Sequence, residues 1–323
     1  GPSRAGFPDA PRPFPLREAP PLEELPFILE QVLNGVVVSA YYLLIALGLS
    51  LIFSLGGIVN LAHGAFYALG AYFAVEIERY LGFGGALVLS PILVAMVGIA
   101  LERTMFRRFY RSDPILGLLL TFGLAMVIEQ AIRIVWGAAP LPFRIPSYIQ
   151  GQLFVGDMIF PYYRLAMLAV AALAVTGTWL LLNKTSFGRV VKAGVQNPDM
   201  VAVLGISLAP IMTAVVALGI GLAGLAGAAE IAGLRGYLTL DLSPGFGYSG
   251  IVVAMLAQLH PLGVVAASVF VAAVFVGADA MSRTVAVPNY IAEVLVAVSL
   301  LCVLVSSFLV RYRIRRSPVN RRS

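Results

Sequence analysis

Seven stretches of this chain, 17 to 32 residues long, contain no Asp, Glu, Lys, Arg or His. They cover residues 31–62, 80–101, 165–183, 200–229, 242–259, 261–278 and 294–310. The hydrocarbon core of a bilayer takes about 20 mostly apolar residues per helical crossing, so each stretch is the size of a span. Only 12% of residues are charged, about half the share carried by soluble domains. With 60% hydrophobic residues and a mean hydropathy of +0.92, the 323 residues are not two soluble domains. The expectation is an all-α fold, a polytopic transmembrane helical bundle of about 8–10 spans, some of them broken helices.

Crossings are expected near Val36–Ile58, Leu61–Ile77, Ala86–Leu101, Ile115–Ile134 and Leu165–Leu182, and then near Leu208–Ala229, Phe246–Leu259, Leu262–Met281 and Tyr290–Val310. The formal charge of +6 sits in three basic clusters that abut these spans. They are Arg103, Arg107, Arg108 and Arg111; Lys184, Arg189 and Lys192; and Arg311, Arg313, Arg315, Arg316, Arg321 and Arg322. That placement follows the positive-inside rule rather than the footprint of a nucleic acid, so no nucleic-acid partner is expected. It puts residues 183–200 and the C-terminus in the cytoplasm and residues 135–164 outside. The N-terminus is then external.

Three sections follow along the chain: residues 1–26, residues 27–310 and a basic cytoplasmic tail, 311–323. Eight of the 20 prolines lie in the first section, which is expected to be a disordered external tail. It contains no apolar h-region and is not expected to be a signal peptide. The membrane domain is 27–310. Its single cysteine, Cys302, has no partner for a disulfide. Two histidines in the whole chain give no metal site, and no bound cofactor is expected.

Two places interrupt the apolar sequence with glycine, proline and polar side chains: Gly56–Gly64, including Asn60 and His63, and Leu242–Gly250, including Pro244, Gly245 and Tyr248. Paired interruptions of this kind point to a transport pathway, although two ordinary turns outside the membrane would give the same pattern. His63 either bonds a backbone group freed by the break or lines the path. Glu129 with Arg133, and Asp279 with Arg283, are spaced to meet on one helix face, most simply as structural pairs near helix ends. Glu76, Glu78, Glu230 and Glu293 are expected near span ends. Gly219, Gly221, Gly224 and Gly227 set small residues three and four apart, a pattern for close helix packing.

Both lysines of the chain fall in Asn183–Ile206. This stretch has a Thr-Ser turn, a short basic amphipathic element, a break at Asn197-Pro198 and a restart. Asn197 suits a cap and Pro198 a first helical turn. Such helix-break-helix order in a cytoplasmic loop points to docking on another protein; the alternative is a solvated connector whose basic residues only set topology.

Three blocks together resemble the permease subunits of branched-chain amino-acid ABC importers, the LivH-like branch. They are Ala46–Phe53 running into Asn60–Tyr72, Phe187–Ile206, and Pro244–Gln258. The resemblance implies the transmembrane domain of a type II-like ABC importer, paired with a homologous second permease subunit in membrane lipid. It further implies two cytoplasmic ABC ATPase subunits and a periplasmic substrate-binding protein, in a bacterial inner membrane. The substrate pathway would involve Asn60, His63, Gly64, Tyr67, Tyr72, Pro244, Gly245 and Tyr248. Coupling to the ATPase would involve Phe187, Gly188, Arg189, Lys192, Asn197, Pro198 and Gly205. No Lys follows a Gly anywhere, so the phosphate-binding G-x-x-x-x-G-K-[ST] motif is missing and ATP hydrolysis belongs to other chains. The chain is expected to be a transport subunit and not an enzyme. Rival solutes are urea or short amides and nucleosides. A secondary carrier driven by an ion gradient is the rival of another class.

Overall fold

The computed structural model describes residues 25–57, 59–110, 113–155, 158–238, 248–285, 288 and 290–311. The expectation for residues 1–24, and those for Pro244, Gly245 and nearly all of the basic C-terminal tail, lie outside the described residues. Among the described residues, ten α-helices carry the fold: α1 Leu25–Gly56, α2 His63–Thr104, α3 Pro114–Trp136, α4 Tyr162–Lys184, α5 Ser186–Gln196, α6 Pro198–Val203, α7 Leu208–Glu230, α8 Tyr248–Leu256, α9 Pro261–Val285 and α10 Ile291–Arg311. Seven helical segments among the described residues are long and apolar enough to cross a membrane.

One of those seven runs from His63 to Arg108 and is two arms rather than one rod. Gly82 inside it has φ 70°, a conformation open mainly to glycine. Beyond it, the Ser90 hydroxyl donates to the Gly70 carbonyl at 2.5 Å. Twenty residues of straight helix would hold those atoms about 30 Å apart. The arms therefore fold back on each other, and they correspond to the expected crossings at Leu61–Ile77 and Ala86–Leu101.

Two expected segments come out differently. α1 begins at Leu25, well before Val36, because Glu30 falls inside the helix instead of ending it. The expected Phe246–Leu259 crossing contains α8, nine residues long and so about 13 Å, too short to span a bilayer core by itself. It ends in a tight turn where Gln258 and Leu259 both take positive φ, and α9 departs from there.

α1 is the central element. Val37, Tyr41, Leu44 and Ile45 pack into one buried cluster with α2, α3, α4 and α7. Val38, Tyr42, Ala46 and Leu49 pack into a second with α8, α9 and α10. α7 lies along both arms of α2 and along α1. A Cβ on Gly219 would strike the Gly48 carbonyl of α1, and one on Gly227 the Tyr67 carbonyl of α2. The small-residue pattern thus serves close backbone approach, where lipid offers no hydrophobic drive to bring helices together.

At the end of the bundle near Gly82, short strands form a cap. β1 (Leu141–Pro142) pairs antiparallel with β4 (Tyr237–Leu238), and β2 (Gln152–Val155) with β3 (Met158–Pro161). At the opposite end, α2 runs through a 3₁₀ turn, Phe106–Arg108, beside α5 and α6. This is the basic end.

Candidate functional site

The loop between α1 and α2 starts at exposed Gly57 and reaches buried Asn60 and Ala62. Gly57 takes φ 65° and releases the chain from α1, and Asn60 restarts it. The Asn60 side-chain oxygen accepts from the Ala62 amide at 3.1 Å, and its carbonyl accepts from the His63 amide at 3.1 Å. The Leu61 amide donates to Thr121 Oγ1 of α3 at 3.2 Å. Thr121 lies seven residues, about 10 Å, along its helix. From Asn60 to Ala62 the loop is thus irregular backbone held below the start of α3 and packed against protein, the setting in which a bilayer tolerates it. A slot of about 10 Å³ beside Asn60, Tyr110 and Thr121 has room for one water.

His63 is fully buried. Its Nε2 donates to the Ile45 carbonyl of α1 at 2.9 Å. The ring faces Gly48 of the same helix, where a larger residue would displace it. Of the two readings for His63, the hydrogen bond to backbone is the one formed, although its acceptor is a helical carbonyl and not one released by the break. Gly64 and Tyr67 are equally enclosed. Tyr72 stacks on Trp136 of α3, ring centroids 5.3 Å apart. Tyr248, at the start of α8, is 40% exposed and is the one described member of the expected pathway that reaches the surface.

Residues 183–206 fold as their sequence grammar predicts. Thr185 caps α5, its hydroxyl accepting from the Gly188 amide at 3.3 Å. Asn197 caps α6, its side chain accepting from the Met200 amide at 2.9 Å, with Pro198 in the first turn. Gly205 ends the segment at φ 78°. α5 buries Gly188, Val191 and Gly194. Gly194 lies against Leu55 of α1 and Leu208 of α7, and Phe187 packs on the same core. Arg189 and Lys192 face outward. Apolar residues further along the segment face outward as well: Met200, Val203 at 81% and Leu204 at 70% exposure.

Sequence spacing gave no sign of two buried polar groups. Glu102, at the basic end of α2, is completely buried. It accepts from the Thr213 hydroxyl of α7 at 2.7 Å, and Arg107 lies 3.4 Å away. Tyr110 packs near it, and burial together with the Glu102 carboxylate pushes the phenol above its usual range. Glu230, expected near a span end, does close α7, but it is fully buried where the helix passes into a π-turn, Ile231–Arg235. The Asp279–Arg283 pair forms at 2.9 Å on an exposed face of α9. Among the described residues, no group of three or more His, Cys, Asp or Glu is placed to hold a metal.

A many-helix apolar bundle with seven span-sized segments among the described residues defines a multi-pass membrane protein. The chain belongs to the family described as branched-chain amino acid transport system / permease component, whose model matches residues 31–304. It is a transport subunit and not an enzyme. Relatives include the high-affinity branched-chain amino acid transport system permease protein BraD of Pseudomonas aeruginosa, 25% identical over 75% of this chain and 82% of BraD. LivH of Escherichia coli K12, a permease protein of the same kind of system, is 24% identical over 64% of this chain and 71% of LivH. The guanosine ABC transporter permease protein NupP of Bacillus subtilis is 32% identical over a shorter part, 48% of this chain and 45% of NupP. No solved structure matches the chain.

Proposed function

We propose that this chain is one permease of an ATP-driven importer for branched-chain amino acids, worked by separate cytoplasmic ATPase subunits through α5 and α6. The carrying observation is what the helix pair leaves exposed: Arg189 and Lys192 on α5, and Met200, Val203 and Leu204 on α6 and directly after it. An apolar patch rimmed by charge is the composition of a protein interface. Buried Gly194 seats the pair on α1 and α7, so a push on it reaches the spans directly. Cytoplasmic placement of this end, with the C-terminus on the same side and the N-terminus outside, agrees with its load of arginine and lysine.

The solute follows from the family and from BraD and LivH. In this reading a second permease completes the conduit, a periplasmic binding protein delivers the amino acid, and Tyr248 lies on the path with Pro244 and Gly245. His63, Gly64 and Tyr67 act as the packed wall behind Asn60, holding α1 to α2 so that the loop moves as a unit. The similarity to a guanosine permease keeps a nucleoside as the second solute, to be separated by competition.

The test is uptake of labelled leucine into vesicles containing the complex, with ATP and binding protein. Arg189→Glu combined with Lys192→Glu is expected to insert normally and to hydrolyse ATP without uptake. Wild-type uptake by that double variant would remove α5 from the coupling role. Leucine uptake driven by an ion gradient without ATP would overturn the importer reading altogether.

A further inference from the structure

Two spaces of very different size meet at one side chain. At the basic end, a cavity of about 550 Å³ lies between the ends of α1 and α2, the start of α7 and the first turn of α6. That volume is within the range of small-molecule sites, roughly 300–1,000 Å³. The slot beside Asn60 and Thr121 is only about 10 Å³, enough for one water and for no larger solute. Among the described residues, Tyr110 alone lines both. Along α1, Ile52 lines the slot, and Leu55 and Gly56, one turn later, line the cavity. The Tyr110 ring lies over that junction, where a Cβ built on Gly56 would stand 3.5 Å from it. The hydroxyl is buried and has no hydrogen-bond partner among the described residues. No hydrogen bond to a described residue therefore breaks when the ring swings away. A buried hydroxyl without a partner is a cost, and contact with water removes it.

We infer that Tyr110 is the gate between the loop at Asn60 and the cavity at the basic end. The structure holds it shut, because the space on the Asn60 side of the ring is too small for an amino acid. With the ring displaced, slot and cavity join, and a solute that has passed Asn60 enters a space large enough to contain it. That Asn60 lies on the solute's path rests on the transport reading above; the two spaces and the ring between them do not. The gate is also placed to feel the coupling element. Pro198 and Asp199 of α6 line the same cavity, so a displacement of α6 changes the space into which the ring must move. An ATPase seated on α5 and α6 then acts on Tyr110 through the shape of the cavity, with no contact between them.

The test is labelling of a cysteine in the slot by a membrane-impermeant, cationic methanethiosulfonate. The full-length chain with its co-purifying subunits is held in nanodiscs, both faces open to the reagent, and modification is read from the mass of the permease chain. Cys302, the single cysteine and an exposed one, is replaced by Ser throughout. Thr121 is 2% exposed and lines the slot. Thr121→Cys is expected to react slowly behind Tyr110 or Tyr110→Phe, and at least tenfold faster behind Tyr110→Ala. Ser90 is fully buried and lies about 20 Å from the basic end of α2. Ser90→Cys is expected to stay unmodified in every background, as it does when the bundle remains closed elsewhere. Equal rates at Thr121→Cys with Tyr110 and with Tyr110→Ala, both fast or both slow, overturn the gate. If Ser90→Cys reacts in Tyr110→Ala, the smaller change Tyr110→Leu is read by the same criterion, and equal rates there overturn the gate as well. Labelling needs neither ATP nor leucine. ATP-driven leucine uptake by the same wild-type complex in vesicles therefore reads the importer separately. A labelling contrast without uptake keeps the gate and removes the importer, and uptake without the contrast does the reverse.

Discussion

Thr213 and Glu102 are 111 residues apart in sequence, and the hydroxyl of the first donates to the carboxylate of the second at 2.7 Å. Arg107 completes a triangle, donating to Thr213 Oγ1 at 2.9 Å. A carboxylate fully withdrawn from water is tolerated only with such partners. The triangle fastens the second arm of α2 to the first turns of α7, next to the helices proposed to receive the ATPase.

Thr213→Val keeps the side-chain shape and removes one of the two partners. Arg107 is 44% exposed and water competes for it, so the hydroxyl is the contact that desolvation cannot replace. The variant should lose about 1–3 kcal/mol of stability, read as a lower melting temperature in detergent. Melting at the wild-type temperature would mean that Glu102 is satisfied without Thr213.

The glycines of α7 separate by environment. A Cβ at Gly221 would meet Ala95 Cβ at 3.5 Å, an ordinary contact, whereas at Gly227 it would collide with the Tyr67 backbone carbonyl. Gly221→Ala should therefore give a wild-type yield of monodisperse protein. Gly227→Ala forces α2 and α7 apart and should cost about 1–3 kcal/mol, as overpacking does. Size-exclusion profiles and melting curves of the two variants check the contrast. Equal behaviour would show that the helices adjust freely.

Much of this architecture was legible because charge is absent from a span and present at its ends. The cap at Asn197 was legible because N-cap chemistry is local. What was hidden depends on contacts between distant segments. α1 is buried on nearly all sides by two clusters, so no apolar stripe distinguishes its faces. The end of α8 was hidden because the apolar run continues past Leu256 to Leu259. Glu102 looked like the charged end of a span, since nothing nearby in sequence marks Thr213 as its partner. For His63 the sequence could name both a backbone bond and a lining role, but only packing reveals that Ile45 supplies the acceptor.

His63→Ala removes the donor to Ile45 O and leaves a cavity between α1 and α2. Both effects act on the fold, so loss of uptake should follow loss of assembled complex, at a cost of about 1–3 kcal/mol. His63→Gln has an amide that reaches towards the same carbonyl and should recover part of the stability. Uptake and complex yield, measured on the same membranes, decide the matter. Uptake lost from a fully assembled His63→Ala complex would place the imidazole on the solute's path instead.

Val203, the last residue of α6, and Leu204, which follows it, are 81% and 70% exposed, and no part of the described bundle packs over them to that extent. Replacing both with Asp removes no core contact, so stability should change by no more than about 0.5 kcal/mol. At an interface the same change places two carboxylates where apolar contact is needed, and buried unpaired charge is costly. Double aspartate substitution should therefore leave the melting temperature of the purified permease in place while the ATPase chains no longer co-purify, and ATP-driven leucine uptake should fall by at least tenfold. Arg189 and Lys192 are untouched in this variant, which separates the apolar contact from the charged one. Undiminished recovery of the ATPase chains would show that α6 is a connector and that the docking energy resides on α5.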